Sequence, residues 1–194
     1  LGWQGLLRSL PPDGRVLRIA PAPSALVRRA DLVSISRDDV ESTVTFAALG
    51  ALLRPGGSLT VTRGADGGVA MTAVEGGEPE GLRAWPAIPP DRLVDPTGAG
   101  DVFLATLLAA RLDPRLVGER PGHGHELHLA AAASSLLCEG VGLLGVPELD
   151  AVADEAAVDE RVLGIAAACV LRIGRTRRPA GDRERGRLCH HMRS

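Results

Sequence analysis

The sequence predicts an α/β fold in which a mainly parallel sheet is flanked by helices. Strand-like runs rich in Val, Ile and Thr alternate with helix-like runs along most of the chain. The 194 residues, 45% hydrophobic and 24% charged, suffice for one well-packed domain and are few for two. A tight turn at residues 63–68 separates two strand-like runs, which indicates a hairpin and therefore a mixed sheet.

The strands of the predicted sheet fall in the first half of the chain. They are expected at residues 16–19, 31–35, 58–62, 69–74 and 82–88. Residues 21–29 indicate a short helix or turn between the first two strands. Ser36, with Asp39 three positions on, forms a variant capping box that opens a helix through Leu53, which Pro55 and two glycines end.

Helices dominate the second half. The loop at residues 95–101 opens an apolar helix to about Leu112, and residues 128–138 form an Ala-rich helix. We expect the folded domain to span residues 1–153. Apolar residues at helical spacing then predict an extra amphipathic helix over residues 154–172, and the Arg-rich residues 173–194 have little to bury and are expected to be disordered.

The composition excludes two kinds of phosphoryl-transfer machinery. The chain has no Lys, Asn or Tyr, and all 22 of its Lys and Arg residues are Arg. A phosphate-binding P-loop requires its Lys, and a protein kinase requires both a strand Lys and a metal-binding Asn. Neither arrangement can therefore be built from this chain.

Charge and cysteine content predict a cytoplasmic protein with a small-molecule partner. The formal net charge of −2 attracts neither nucleic acid nor an anionic membrane surface. The three cysteines, Cys138, Cys169 and Cys189, form no CxxC pair, so a disulfide framework or a cysteine zinc site is not expected. No apolar run reaches the roughly 20 residues that span a bilayer, and the first residues lack a secretory pattern.

The heptapeptide DPTGAGD at residues 95–101 is the motif that carries chemistry. Gly98 and Gly100 let the backbone turn closely while a helix begins, so unpaired N–H groups and the positive end of the helix dipole meet at one spot. That spot suits the γ-phosphate of a nucleotide. Asp101, in the first helical turn, can accept the proton of an attacking hydroxyl. A plain turn, capped by Thr97 or Asp101, is the structural alternative.

A longer stretch around this motif resembles a known family. DPTGAGDVF resembles the signature of ribokinase-like sugar kinases of the PfkB family. Residues 36–39 resemble the family's Asn-x-x-Glu metal element, with Ser and Asp in place of Asn and Glu. Residues 60–67 resemble its strand-and-glycine nucleotide element, and residues 142–147 its adenine-side segment. The resemblance covers residues 16–150.

The resemblance implies a ribokinase-like three-layer fold and ATP-dependent phosphorylation of a hydroxyl on a sugar or sugar-like alcohol. It makes Asp101 the catalytic base. Its anion hole would consist of the backbone amides of Gly98, Ala99 and Gly100, and its nucleotide site would be lined by Thr62, Gly64, Gly67 and Thr97. Asp39 would organise Mg²⁺ through water, although a plain capping box accounts for Asp39 equally well.

Members of the family have an N-terminal half that contains the first strands, a glycine pair and the lid over the sugar. This sequence resembles the family only in the part that follows that half. We therefore expect a truncated chain, and the residues that choose the acceptor would lie in that half. The alternative function is a catalytically inactive nucleotide-binding module or a regulatory partner of another chain. Half of such a sheet would expose an apolar edge, so we expect association, of which a homodimer is one form.

Two further clusters are weaker signals. His123, His125 and His128 lie close together, but no carboxylate or cysteine completes a recognisable metal set, so a solvated loop is the preferred interpretation. The Arg-rich tail, which also contains Cys189-His190-His191, lacks the interleaved aromatic residues typical of nucleic-acid binding.

Overall fold

A computed structural model of the chain describes residues 1–113, 116, 124–148 and 150–156. The strands in this part of the chain are β1 (Arg8–Ser9), β2 (Leu17–Arg18), β3 (Leu32–Ser36), β4 (Ser58–Thr62), β5 (Gly68–Thr72) and β6 (Glu80–Trp85). The helices are α1 (Ala25–Arg29), α2 (Phe46–Gly50), α3 (Ala99–Leu112) and α4 (His125–Leu137), and residues 150–156 are also helical. No helix within these described residues is long and apolar enough to cross a membrane.

The main sheet is mixed and has the strand order β3-β4-β5-β6. β3 and β4 run parallel, because the segment between them crosses over the sheet, and Ser36 and Thr62 stand side by side at their carboxyl ends. β5 is antiparallel to β4 and β6 is antiparallel to β5. The first connection is a turn at residues 63–67, and the second is a longer loop at residues 73–79. A parallel bridge between Gly2 and Ser34 adds the first residues beside β3. The expected mixed sheet and hairpin are confirmed.

Helices cover both faces of this sheet. Along β3, Val33 and Ile35 point into one buried cluster, which also contains Val27 of α1 and Leu49 of α2. The alternate residue Leu32 belongs to a second cluster, built mainly from α3 and α4. α1 and α2 have five residues each, whereas α3 and α4 have 14 and 13 residues. The resulting order of helix, sheet and helix is the predicted three-layer arrangement.

The helix predicted from Ser36 to Leu53 is wrong, because the segment is divided. The Ser36 hydroxyl does accept a hydrogen bond from the Asp38 amide, at 3.3 Å, but it caps only the 3-10 turn Arg37–Asp39. Val40 is extended, and the Arg37 guanidinium donates to the carbonyls of Ser42 and Val44 at 2.6 and 2.8 Å. A separate cap, at Thr45, then opens α2. Arg37 therefore stabilises a loop at the place where periodicity predicted a helix.

Other element boundaries differ from prediction by a few residues. The strand expected at 82–88 is found as β6, two residues earlier, and it stops before Pro86, which has no amide hydrogen for a strand ladder. The helix expected at 128–138 begins three residues earlier, at His125. The helix expected at 154–172 has already begun by residue 150, and its later part and the tail at 173–194 lie outside the described residues.

Candidate active site

The loop at residues 95–98 reverses the chain before α3. The Asp95 carboxylate accepts a hydrogen bond from the Thr97 amide, 2.9 Å away, which closes a local turn. Gly98 then has a φ of 89°, in the left-handed region that a side chain disfavours. Hydrogen bonds from the Thr97 hydroxyl, the Thr97 amide and the Gly142 backbone hold the pKa of Asp95 below its ordinary value.

Two backbone amides at the start of α3 are open. The Ala99 amide donates to the Pro96 carbonyl at 3.2 Å, and the Asp101 amide donates to the Gly98 carbonyl at 3.0 Å. Among the described residues, the amides of Gly98 and Gly100 have no hydrogen-bond partner. Open amides at the amino end of a 14-residue helix are suited to an anion. Of the three amides predicted for an anion hole, two are thus free and that of Ala99 is engaged.

The Asp101 carboxylate lies in the first turn of α3 and is exposed. Its side chain forms no ion pair or hydrogen bond within the part of the chain that the structure describes. The helix dipole favours a negative charge at this position. An exposed carboxylate without a fixed partner, one residue after an open amide, is able to accept a proton from a hydroxyl brought to the same place.

The end of α4 holds this loop in place. The Ser134 hydroxyl lies 3.0 Å from the Ala99 carbonyl oxygen, to which it donates. The Cys138 carbonyl accepts hydrogen bonds from the amides of Val94 and Asp95 at 2.7 and 3.1 Å, and the Glu139 carboxylate accepts one from Asp91 at 2.7 Å. Burial raises the pKa of the Cys138 thiol, and the nearby carboxylates raise it further. Sequence reasoning missed these supports, because an Ala-rich helix carries no local sign of them.

The turn between β4 and β5 contains the other predicted nucleotide residues. Thr62 ends β4, where its hydroxyl approaches the Ile35 carbonyl at 3.5 Å. The Arg63 amide donates to the Gly67 carbonyl at 2.7 Å, which closes the turn. Gly64 has a φ of 54° and open space around it, whereas a side chain at Gly67 would collide with the backbone of Trp85. Gly67 is therefore required by packing, whatever else it does.

Trp85 connects this turn to α3. It pairs with Gly68 in the sheet, and a side chain on Gly68 would strike its indole ring. The other contact of the ring is with Phe103, whose ring centroid lies 5.2 Å away with an interplanar angle of 19°. Phe103 follows Asp101 by two residues. One buried aromatic residue, which sequence reasoning did not select, thus links the turn after β4 to α3.

Asp39 is occupied by an ion pair. Its side chain is only 4% exposed, and its Oδ1 accepts from Nη2 and Nε of Arg8 at 2.7 and 3.3 Å. Its Oδ2 is buried without a hydrogen-bond partner. A carboxylate that is enclosed and neutralised by a guanidinium does not fit direct coordination of Mg²⁺, which prefers several waters and open oxygen ligands. The predicted role through water stays a prediction.

The histidine cluster is divided by the edge of the described chain. His125 begins α4 and His128 is buried within that helix, whereas His123 lies outside the described residues. Within the described ranges, no group of three or more His, Cys, Asp or Glu side chains could hold a metal ion.

Several solved kinase structures have a similar fold. Arabidopsis thaliana ribokinase, complexed with ribose and ATP, matches with 24% identity and a TM-score of 0.51, over 68% of this chain and 42% of its own. A protein from E. coli designated ribokinase II, in complex with ATP and Mg²⁺, matches with 21% identity, a TM-score of 0.52 and coverages of 67% and 40%. Burkholderia thailandensis nucleoside kinase, in complex with inosine, matches with 19% identity, a TM-score of 0.52 and coverages of 71% and 44%.

These likenesses establish the ribokinase-like fold. The chain spans only about two fifths of the length of the ribokinase structures that it matches. No curated protein sequence matches it. The family model for pfkB family carbohydrate kinases matches residues 11–147, a stretch that contains the loop before α3, the turn after β4 and the supporting end of α4. Since this match covers more than half of the chain, the protein belongs to the pfkB family of carbohydrate kinases.

Proposed function

We propose that the chain is the nucleotide-binding and catalytic portion of an ATP-dependent kinase that phosphorylates a hydroxyl of a sugar or sugar-like small molecule. The observation that carries this proposal is the start of α3. There, the exposed carboxylate of Asp101 directly follows the open amide of Gly100, at the positive end of a long helix. Family membership supports the same reaction class.

In the proposed reaction, Asp101 accepts the proton of the acceptor hydroxyl while the hydroxyl oxygen attacks the γ-phosphorus of ATP. The bond between the γ-phosphorus and the β-γ bridging oxygen breaks, and ADP leaves. The amides of Gly98 and Gly100 donate to the phosphoryl oxygens, whose charge they stabilise without any Lys. The engaged amide of Ala99 would join them only by giving up its 3.2 Å bond to the Pro96 carbonyl.

Magnesium would enter this reaction with the nucleotide, because the related E. coli protein was solved with ATP and Mg²⁺. The ion would neutralise charge on the phosphates. We assign it no direct ligand in this chain, since the one buried carboxylate that sequence reasoning selected, Asp39, already pairs with Arg8.

The remaining nucleotide contacts are assigned by position. Thr62 and Gly64 lie at the carboxyl end of β4, and the ends of parallel strands are where α/β folds bind their ligands. Gly64 leaves the backbone accessible, because no atom lies within 4 Å of the place a side chain would take. Gly67 shapes this turn, and Thr97 shapes the loop before α3 through its bonds to Asp95.

The proposed acceptor belongs to the class that the related structures contain. Ribose is bound in the Arabidopsis ribokinase and inosine in the Burkholderia nucleoside kinase, and both ligands contain a ribose unit with free hydroxyl groups. A cytoplasmic location is part of the proposal, and the free, buried thiol of Cys138 is consistent with it. Absence of nucleic-acid and membrane partners, and association into a homodimer, stay predictions.

A second candidate function is a nucleotide-binding module without turnover. It is favoured by one observation, the match to only about two fifths of each related kinase structure. Acceptor positioning and exclusion of water are separate contributions to the rate, and both would depend on the part of the related proteins that this chain does not match.

Two measurements on the full chain separate these functions. Isothermal titration calorimetry with Mg·ATP tests the nucleotide site, and ADP formation over a panel of pentoses, hexoses, nucleosides and inositols tests turnover. Weak binding without turnover above background would favour the module, and binding with turnover the kinase. Absence of any ATP binding would overturn both.

A further inference from the structure

The peptide group between Ala99 and Gly100 is held by a side chain from α4. The Ser134 hydroxyl is half-buried and lies 3.0 Å from the Ala99 carbonyl oxygen and 2.9 Å from the Ala130 carbonyl oxygen. Its single proton is thus shared between the first turn of α3 and the preceding turn of its own helix. Ala130 on the same helix and Leu107 on α3 belong to one apolar cluster and are fully buried.

This contact acts on the open amide through the planarity of the peptide bond. The carbonyl of Ala99 and the N–H of Gly100 belong to one rigid planar unit and point in opposite directions. A donor that fixes the carbonyl oxygen therefore also fixes the direction of the amide hydrogen. A hydrogen bond accepted by the oxygen also polarises the unit, so that its N–H becomes a stronger donor.

We propose that Ser134 is a positioning residue that aims the Gly100 amide at a phosphoryl group of the bound nucleotide. This inference rests on the proposed function, because it assigns the open amide to a phosphate ligand. Ser134 does not touch the reacting atoms. Its effect passes through the Ala99–Gly100 peptide, whose carbonyl oxygen it contacts on the side away from the Gly100 N–H.

The neighbouring Ser135 provides a matched control. It lies on the same helix and is 5% exposed, yet among the described residues it makes no hydrogen bond to the first turn of α3. Ser135→Ala therefore removes the same hydroxyl from α4 without releasing the peptide. Ser134→Ala removes the hydroxyl that donates to the Ala99 carbonyl. Ser134→Thr keeps a hydroxyl at this position and should therefore retain the behaviour of the unmodified chain.

The test combines two readouts on the full chain. The first is the ¹⁵N chemical shift of Gly100 without ligand, which responds to a hydrogen bond on the preceding carbonyl. The second is the affinity for Mg·ATP by calorimetry. We expect Ser134→Ala to move the Gly100 resonance and to weaken Mg·ATP binding by about 3–10-fold, the range that loss of one hydrogen bond gives. Ser134→Thr and Ser135→Ala should resemble the unmodified chain in both readouts.

The outcomes separate this inference from the proposed function. If Ser134→Ala and Ser135→Ala give the same Gly100 shift and the same affinity, Ser134 is only a helix contact and the inference is overturned. If the unmodified chain does not bind Mg·ATP, the proposed function is overturned. The Gly100 shift in Ser134→Ala would then still show whether Ser134 orients the peptide.

Discussion

The indole ring of Trp85 stacks on the phenyl ring of Phe103, with 5.2 Å between the ring centroids. Trp85 ends β6, and Phe103 lies in the second turn of α3. The stack therefore joins the sheet to the helix that carries Asp101. Both side chains are buried, at 7% and 3% exposure.

Truncation of Phe103 should destabilise the fold. We expect Phe103→Ala to lower the free energy of unfolding by about 3–5 kcal/mol, because it leaves a cavity beside Trp85, and Phe103→Leu to lower it by about 1 kcal/mol. Urea denaturation followed by circular dichroism measures both. Leu108→Ala, on an exposed position of the same helix, is the control and should cost about 0.5 kcal/mol or less. Equal effects of Phe103→Ala and Leu108→Ala would contradict the importance of the stack.

A side chain at Gly100 should block the anion pocket and leave the fold intact. Apart from its chain neighbours and its own helix backbone, no atom lies within 4 Å of the place where a Cβ would stand, so Gly100→Val adds its Cβ in open space. We expect Mg·ATP affinity to fall by about tenfold or more, since loss of close backbone approach removes at least one charge-assisted hydrogen bond. Gly5→Val, at an equally open position, is the control for calorimetry. Unchanged affinity in the Gly100 variant would reduce the loop to a structural turn.

Replacement of Asp101 should separate binding from turnover. In the chain joined to the N-terminal half of a related ribokinase, Asp101→Asn should keep Mg·ATP affinity within about threefold. Turnover should fall by roughly 10²–10⁴-fold, because the amide cannot accept the proton. Glu126→Gln, in the first turn of α4, controls for loss of a charge at a helix start. Near-normal turnover with the asparagine would remove Asp101 from the mechanism.

The pair of Arg8 and Asp39 should be coupled in stability. Arg8→Met leaves a buried carboxylate without its partner, so we expect the free energy of unfolding to fall by roughly 1–3 kcal/mol; the partial exposure of Arg8 favours the lower part of that range. A double-mutant cycle with Asp39→Asn measures the coupling, and additive effects would show that the pair contributes nothing. Asp39→Asn also tests the predicted magnesium role. If Asp39 helps to organise Mg²⁺, ATP binding by the Asp39→Asn variant should depend less on Mg²⁺ than ATP binding by the unmodified chain.

Local sequence was sufficient for the elements whose cause is local. The start of α3 could be predicted because two glycines, an apolar helical run and Asp101 are adjacent in the chain. The hairpin after β4 could be predicted because its turn residues lie together. The family resemblance supplied the roles of these residues, which their spacing alone left open between a binding loop and a plain turn.

Contacts between distant parts of the chain were beyond this reasoning. The division of the predicted helix after Ser36 depends on the bonds from Arg37 to two carbonyls, which hydrophobic periodicity does not encode. Ser134 appears in the sequence as one of two adjacent serines, and only the packing of α4 on α3 distinguishes it from Ser135. Trp85 contacts Gly68, which lies 17 residues before it in the sequence, and Phe103, which lies 18 residues after it. Neither contact can be read from the residues next to Trp85.

The two tryptophans of the chain, Trp3 and Trp85, lie in different layers. Trp3 is buried in the cluster beneath α1 and α2, and Trp85 in the cluster beneath α3 and α4. Because the chain contains no Tyr, its near-ultraviolet emission comes almost entirely from these two indoles. A variant that keeps only Trp3 and a variant that keeps only Trp85 would therefore each carry a fluorophore specific to one face of the sheet. Loosening of the layer formed by α3 and α4 would then be visible separately from loosening of the layer formed by α1 and α2, without any attached label.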